Sequence, residues 1–414
     1  MPGRLIFVES NTTGSGMLAL TTARRLGLDP VLLSGRPQRY AGLAETGVEV
    51  IECDTNSPEA IASRLPGRIA GVTTTSEYFL EVVAQVAHCL GLPGNPPEAV
   101  RRCRDKSATR EALAREGVGQ PRFVAVRHHR LLTPTLRKVG LPCVVKPVNE
   151  SGSQDVVLCH SEPQVRAHLR RILSARVNAR DQPVPGVALV EEYLDAAEYS
   201  VEMFSSAGTA TCVGITAKSV SGDPYFVESG HHYPAALSPS PTQQLICLAR
   251  DALDAVGLRE GPSHIEVKLS PSRAAVVEIN ARLAGGMIPE LVRLVDGIDL
   301  IEQQIRAVAG RPVDLTPVRR EDRCAGIRFL MVDRTGRVAS VSGVEQAMAL
   351  PGVHRVHVSA APGSGVARAQ DAYGRIGHVI AGGPDSAEVE SRLDRALDLI
   401  RIAVTDTSAE SQPG

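Results

Sequence analysis

Two rhythms run along this chain. Up to about residue 98, short apolar runs alternate with stretches whose apolar positions recur every three or four residues. The runs predict strands at 5–8, 30–33, 49–53 and 69–73, and the longer period predicts helices at 16–26, 58–64 and 77–90. Such alternation argues a parallel sheet with crossover helices. A Gly/Pro-rich boundary follows at 91–98, then a helix through 105–115, a strand at 123–126 and a helix near 133–138. An apolar strand ends at Lys146, and a second strand resumes at 156 after a Gly/Ser loop. Helices are expected at 162–177, 242–256, 287–295 and 300–309, with strands at 187–194, 198–204 and 211–218. The last segment reads as strands at 324–332, 337–341 and 352–358, a helix at 386–402, and a polar tail from 403 expected to fray.

The densest chemistry lies at 264–282. His264-Ile265-Glu266-Val267-Lys268 and Val276-Val277-Glu278-Ile279-Asn280-Ala281-Arg282 read as two strands joined by a turn at Ser270-Pro271-Ser272-Arg273. Side chains alternate along a strand, so Glu266 shares a face with Lys268, and Glu278 with Asn280 and Arg282. Ile265, Val267, Val277 and Ile279 then point into a core. Two carboxylates beside an amide oxygen suit Mg²⁺, which takes one or two carboxylates plus phosphate oxygens. A guanidinium at the end suits an anion facing the metal. The competing reading is a solvated hairpin face laced with ion pairs.

Bulk numbers narrow the classes. A chain of 414 residues is too long for one core, so two to four domains are expected. Net charge of −1 removes bulk attraction to nucleic acid or anionic membrane, and 3% aromatics without Trp leaves no stacking platform for single strands. No apolar run approaches a membrane-spanning length, and the first strand starts at Leu5 with no signal-peptide organisation. None of the eight cysteines forms a C-x-x-C pair, so reduced buried thiols and a cytoplasmic setting are expected.

The first turn, Ser10-Asn11-Thr12-Thr13-Gly14-Ser15-Gly16, fits the loose dinucleotide pattern G-x-G-x-x-A. The second strand, however, ends Leu33-Ser34-Gly35-Arg36 and lacks the acidic residue that an NAD ribose needs. A tight strand-to-helix turn explains the glycines without a nucleotide. Lys146 is different: a lysine ending an apolar strand must snorkel or meet an anion. The loop after it, Asn149-Glu150-Ser151-Gly152-Ser153-Gln154, suits a lid whose N–H groups fold over phosphates, with an ordinary hairpin loop as the alternative. Lys106 on a charged helix and His354 and His357 in a late strand read, alone, as surface residues. Beyond residue 310 no site pattern is visible.

Taken in order, Lys106, then V-V-K-P with its Gly/Ser loop, V-E-E-Y-L, E-Y-S-V-E, H-I-E-V-K and V-V-E-I-N-A-R resemble the ATP-grasp fold over about residues 1–310. Glu228-Ser229-Gly230-His231 and the added C-terminal segment resemble the L-amino-acid ligase and carnosine-synthase type of carboxylate–amine ligase. The resemblance implies an α/β architecture with α+β lobes. A Rossmann-like parallel-sheet domain would span 1–98, a small lobe 99–190, a large lobe 191–310, a C-terminal α+β accessory domain 311–405 and a tail 406–414.

It also implies roles. Lys106 and Lys146 would hold the ATP phosphates, and Ser151, Gly152 and Ser153 would cover them. Glu191, Glu192, Tyr193 and Leu194 would take adenine through backbone groups, Glu198 would take the ribose, and Lys268 joins this nucleotide set. Glu266, Glu278 and Asn280 would bind two Mg²⁺ ions, with Mn²⁺ as a substitute. Arg282 would stabilise an acyl phosphate and the transition state that follows, Glu228 and His231 would face the amino-acid substrates and position or deprotonate the attacking amine, and the loop from Asn11 to Gly16 would lie near the carboxylate substrate. The implied activity is ATP-dependent amide formation on small carboxylates and amines, without nucleic acid or membrane, in a homodimer. Rival readings are a carboxylase or purine-pathway ligase using bicarbonate or formate, and a non-catalytic nucleotide binder.

Overall fold

The computed structural model describes residues 3–12, 15–40, 42–65, 67–221, 223–318 and 320–406. Gly14 of the first turn and the tail beyond 406 lie outside them. Four parallel strands, β1 (Arg4–Val8), β2 (Asp29–Ser34), β3 (Glu49–Glu52) and β4 (Ile69–Thr73), lie in the order β3-β2-β1-β4. β1 is apolar on both faces because both are covered: Leu5 and Phe7 enter one core, Ile6 and Val8 another. At its end Glu9 accepts hydrogen bonds from Ser34 Oγ (2.9 Å), the Gly35 amide (2.7 Å) and Thr55 Oγ1 (3.0 Å), filling the mouth between β1 and β2. Gly16 has a steric purpose, since a Cβ there would meet the Asn11 carbonyl oxygen at 1.8 Å.

A second sheet is antiparallel, ordered β5-β8-β6-β7, from β5 (Phe123–Val126), β6 (Cys143–Pro147), β7 (Val157–Cys159) and β8 (Ala188–Glu192). Helices Leu132–Val139 and Glu162–Ser174 cover one face through Leu132, Val139, Val165 and Leu169. The other face, carrying Lys146 and Glu191, looks into a cleft.

The chain then builds β9 (Ala197–Ser206), β10 (Thr209–Val220), β11 (Glu228–Tyr233), β12 (Gly261–Ser270) and β13 (Arg273–Asn280). After residue 310 come β14 (Cys324–Leu330), β15 (Gly336–Ser342), β16 (Val353–Val358), β17 (Gly365–Val366), β18 (Gly377–Gly383) and β19 (Arg401–Thr405). Eight of these strands form one sheet, β13-β12-β9-β10-β11-β14-β18-β16, so the C-terminal segment continues the large sheet through the β11–β14 pairing. The other three form the sheet β17-β15-β19. Helices Ile288–Asp296 and Leu300–Val308 share the core of Leu5 and Phe7, which ties the first sheet to the large one.

Two local expectations change. Val277 does not enter the core: a β-bulge between Glu266 and Val267 pairs Val267 with Val276, so Val276 is buried and Val277 lines the cleft. The last helix, Ser386–Leu399, stops before 402, and Arg401–Thr405 is not a frayed tail but a strand paired with β15. Ile402 and Val404 alternate there onto the C-terminal core, a period of two that a helical reading of 386–402 hides.

Candidate active site

One cleft of about 830 Å³ lies where the first domain, the small sheet, the large sheet and the C-terminal segment meet. The nucleotide, metal and catalytic candidates named from the sequence line it: Lys106, Lys146, Ser151–Ser153, Glu191–Leu194, Glu198, Glu228, His231, Glu266, Lys268, Glu278, Asn280 and Arg282; of the first turn, Asn11 and Thr12 do and Gly16 does not.

The small-sheet wall is a closed chain of charges. Lys146 Nζ lies 2.7 Å from Glu191 Oε2, and the other Glu191 oxygen receives Arg110 Nε. Arg110 in turn donates to the carbonyls of Val276 (3.1 Å) and Val277 (2.6 Å), joining the small sheet to the β12–β13 hairpin. Burial opposes a charge on Glu191, but Arg110 and Lys146 outweigh it and hold the carboxyl at about 2. Lys106 opens the helix Lys106–Arg115, which Asp105 caps through the Ser107 and Ala108 amides. Its Nζ donates to the Glu150 carbonyl (2.7 Å) and lies 3.5 Å from Glu278 Oε2.

The loop over these lysines is clasped from both sides. The Tyr78 hydroxyl donates to Glu150 Oε2 (3.0 Å), with Arg104 and Arg180 over its ring. From the C-terminal segment, the Ala372 amide donates to the Gly152 carbonyl (2.9 Å), and the Tyr373 ring packs on Gly152.

On the floor, strand register sets charges in a row. Lys268, Glu198, Lys218 and His231 pair in sequence across β12, β9, β10 and β11. Lys218 Nζ touches three carboxylates: Glu198 (3.1 Å), Glu228 (2.7 Å) and Glu266 (2.7 Å). Burial lowers its proton affinity, yet the three anions raise it well above the usual lysine value. Glu266 and Glu278 are register partners, with Asn280 two residues along β13. With its amide turned so that the nitrogen faces them, Asn280 donates to Glu278 Oε1 (3.1 Å) and Glu77 Oε2 (3.2 Å). His264 sits between Glu202 (3.0 Å) and Glu266 (3.2 Å); burial disfavours its charge, but the two carboxylates raise it to about 9.

These donors fit a Mg²⁺ ion carried by phosphate. The hairpin offers two adjacent carboxylates and an amide, and among the described residues no three His, Cys, Asp or Glu side chains form a metal centre on their own. Arg282 Nε is bonded to Glu77, whose other oxygen takes Arg104 at 3.1 Å.

Beyond Arg282 the polar groups are less satisfied. His231 is 1% exposed, stands edge-on to Phe329 (5.4 Å, 81°), and neither ring nitrogen has a hydrogen-bond partner. Burial pushes its pKa down to about 3, against the pull of Glu228 at 3.7 Å. Burial also opposes ionisation of Glu228, but Lys218 and His231 lead the groups that hold it at about 2.

Sequence reasoning missed several of these groups. Lys218 closes an alternating strand, as Lys146 does, and could have been read the same way. Glu77 follows β4 at the carboxyl edge of a parallel sheet, where ligand crevices form. Arg375, Tyr373 and His357 also line the cleft, and nothing local marks them. His354 instead pairs with Asp322 at 2.7 Å.

Comparisons agree with this geometry. Residues 139–290 match the ATP-grasp domain and residues 328–405 match the L-amino acid ligase C-terminal domain 2. The chain is 32% identical over 409 residues to the uncharacterized protein y4rH of Sinorhizobium fredii, covering 98% of this chain and 84% of that one. It is 28% identical over 351 residues to Gallus gallus carnosine synthase 1, covering 78% of this chain but only 38% of that longer protein. The fold matches the crystal structure of an L-amino acid ligase from Bacillus licheniformis with a TM-score of 0.83 at 23% identity, over 98% and 99% of the two chains. With an ATP-grasp core, a ligase-type C-terminal domain and relatives of that kind, the chain belongs to the ATP-grasp carboxylate–amine ligases, in the L-amino-acid ligase group.

Proposed function

We propose that the protein joins the carboxylate of one amino acid to the amine of a second substrate, consuming ATP through an acyl phosphate and releasing ADP and phosphate. The observation that carries this is the meeting, in one cleft, of two buried lysines under a clasped loop with a paired-carboxylate hairpin ending in Arg282. A carboxylate repels a nucleophile until it is activated, and phosphorylation supplies the activation. Lys106 and Lys146 would bind the phosphates, Ser151–Ser153 would cover them, Glu191–Leu194 would receive adenine, and Glu198 and Lys268 would meet the ribose side. Glu266, Glu278 and Asn280 would hold two Mg²⁺ ions, which neutralise phosphate charge when bound. Arg282, oriented by Glu77, faces the oxygens where negative charge develops in the acyl phosphate and the tetrahedral intermediate.

Glu228 and His231 act by position. A proton leaving the α-ammonium has no favourable place on groups titrating near 2 and 3, so solvent takes it while they hold the amine. Among the described residues no helix is long and apolar enough to cross a membrane, and the cysteines are free. The test is ADP release and mass detection of product with pairs of the twenty amino acids plus ATP and Mg²⁺. Amine-dependent ADP release with a condensed product is expected; bicarbonate-dependent phosphate release without an amine would sink the reading.

A further inference from the structure

We propose that Arg375, paired with Glu228, forms a receptor for the α-amino-acid zwitterion of the amine-bearing substrate, so that the C-terminal segment recognises the acceptor's free carboxylate. This rests on the ligase reading above and adds to it the residue that reads the acceptor's carboxylate.

Arg375 reaches the cleft just ahead of β18. Its guanidinium lies over the Phe329 ring at 4.0 Å. Nε donates to the Ala372 carbonyl (2.9 Å) and Nη1 to Glu228 Oε2 (3.3 Å). Nη2 has no acceptor among the described residues and is not sealed from solvent, so half of the fork opens on the cleft. A planar guanidinium with two donors in fixed geometry is the side chain best suited to a carboxylate.

Its surroundings select the sign of the ligand. Arg355, His357 and His378 line the same end, and the described residues place no carboxylate in ion-pair contact with Arg355. Among the described residues Glu228 is the one carboxylate in ion-pair contact with Arg375, Asp371 acts on it from farther away, and Lys218 already shares Glu228. His378 Nε2 is buried without a partner. Burial pushes His378 down to about 4, so Arg355 and Arg375 are the cations of this end, set against Glu228 and the nearby Asp371. A carboxylate and a guanidinium 3.3 Å apart match a ligand whose amine and carboxylate flank a single carbon. The amine would lie toward Glu228 and His231, and the carboxylate toward Arg375 Nη2. A simple amine, or an amino acid blocked as its amide, fills only the first half.

The twenty L-amino acids and their α-carboxamides serve as acceptors with the intact enzyme, each amino acid being offered as donor. A carboxamide's amine is less basic, so more of it is free to attack, and without this receptor it would react at least as well as the acid. The expected result is a preference for the acid on the order of 100-fold in kcat/KM, the scale of charge-assisted hydrogen bonds. Arg375→Gln should remove that preference by raising the acceptor KM for the acid, with the KM values of ATP and donor within about threefold of wild type. Arg375→Lys keeps the cation without the fork and should restore part of it. Equal use of acid and carboxamide by the wild type overturns the receptor and leaves the ligase intact, as does an acid preference that survives Arg375→Gln. Absence of ADP release and product with every pair overturns the ligase reading and the receptor with it.

Discussion

The two ends of the cleft are built on opposite principles. At the nucleotide end, Lys146, Glu191 and Arg110 satisfy one another, and the loop above them is tied down on both sides. At the far end, His231 has two unpartnered nitrogens, His378 has one, and Arg375 uses half its fork. An unmet buried polar group costs free energy until a ligand meets it. The first end is thus prepared for a ligand that never changes, and the second keeps its bonding capacity for whichever substrate supplies the missing partners. Selectivity should concentrate in the second.

The sharpest way to break this contrast is at its midpoint. Glu278→Ala should cut ADP release by at least about 10³-fold, because the hairpin loses one of the two paired carboxylates proposed to hold Mg²⁺. Arg282→Ala should lower kcat far more than it weakens ATP; equal losses in both would make Arg282 a binding residue only. Turnover retained by the Glu278 variant would remove the hairpin from the chemistry.

At the nucleotide end the expected damage is to stability. Glu191→Gln leaves Lys146 and Arg110 buried without their shared anion, a change that typically costs about 3–5 kcal/mol. Thermal unfolding should show a drop of many degrees, while the same measurement on Arg375→Gln should show little. Similar drops in both would mean that the two ends are equally structural.

Legibility followed the same division. Lys106, on a helix, and the 191–194 stretch enter only through the resemblance to the ATP-grasp fold, whereas Lys146, its loop and the hairpin stand out because each sits in a short run where strand period and residue type agree. The parallel first domain was readable for the same reason. What stayed hidden came from register and distant pairing. Lys218 meets three carboxylates on three other strands, and only sheet order brings them together. Arg375 faces Glu228 across 147 residues of sequence. The bulge that turns Val277 toward the cleft leaves no mark in a pattern of alternating residues.

A pH titration tests the floor between the ends. Against burial, Glu202 and Glu266 raise the His264 pKa in the folded protein to about 9, above the usual imidazole value near 6.5, so its ion pairs contribute fully below about 6.5 and fade as pH climbs through 9. Unfolding free energy should therefore decline by a few kcal/mol between pH 6.5 and 9. His264→Asn should flatten that slope. A slope unchanged in the variant would assign the pH dependence to other groups.

The smallest effect expected lies in the two clasps on the loop, and it ranks them. Tyr78 holds the loop by a hydroxyl that donates to Glu150, a bond worth about 1.5–3 kcal/mol because its acceptor is a carboxylate. Tyr373 is 59% exposed and packs on Gly152, while the hydrogen bond beside it comes from the Ala372 backbone and survives side-chain truncation. Tyr78→Phe should raise the ATP KM about tenfold or more, and Tyr373→Ala about threefold, with kcat close to wild type in the second. The reverse order would mean that the C-terminal segment, rather than the first domain, governs closure over the phosphates. The nucleotide end would then depend on the same segment that supplies Arg375, and the separation between a fixed end and an adaptable one would be lost.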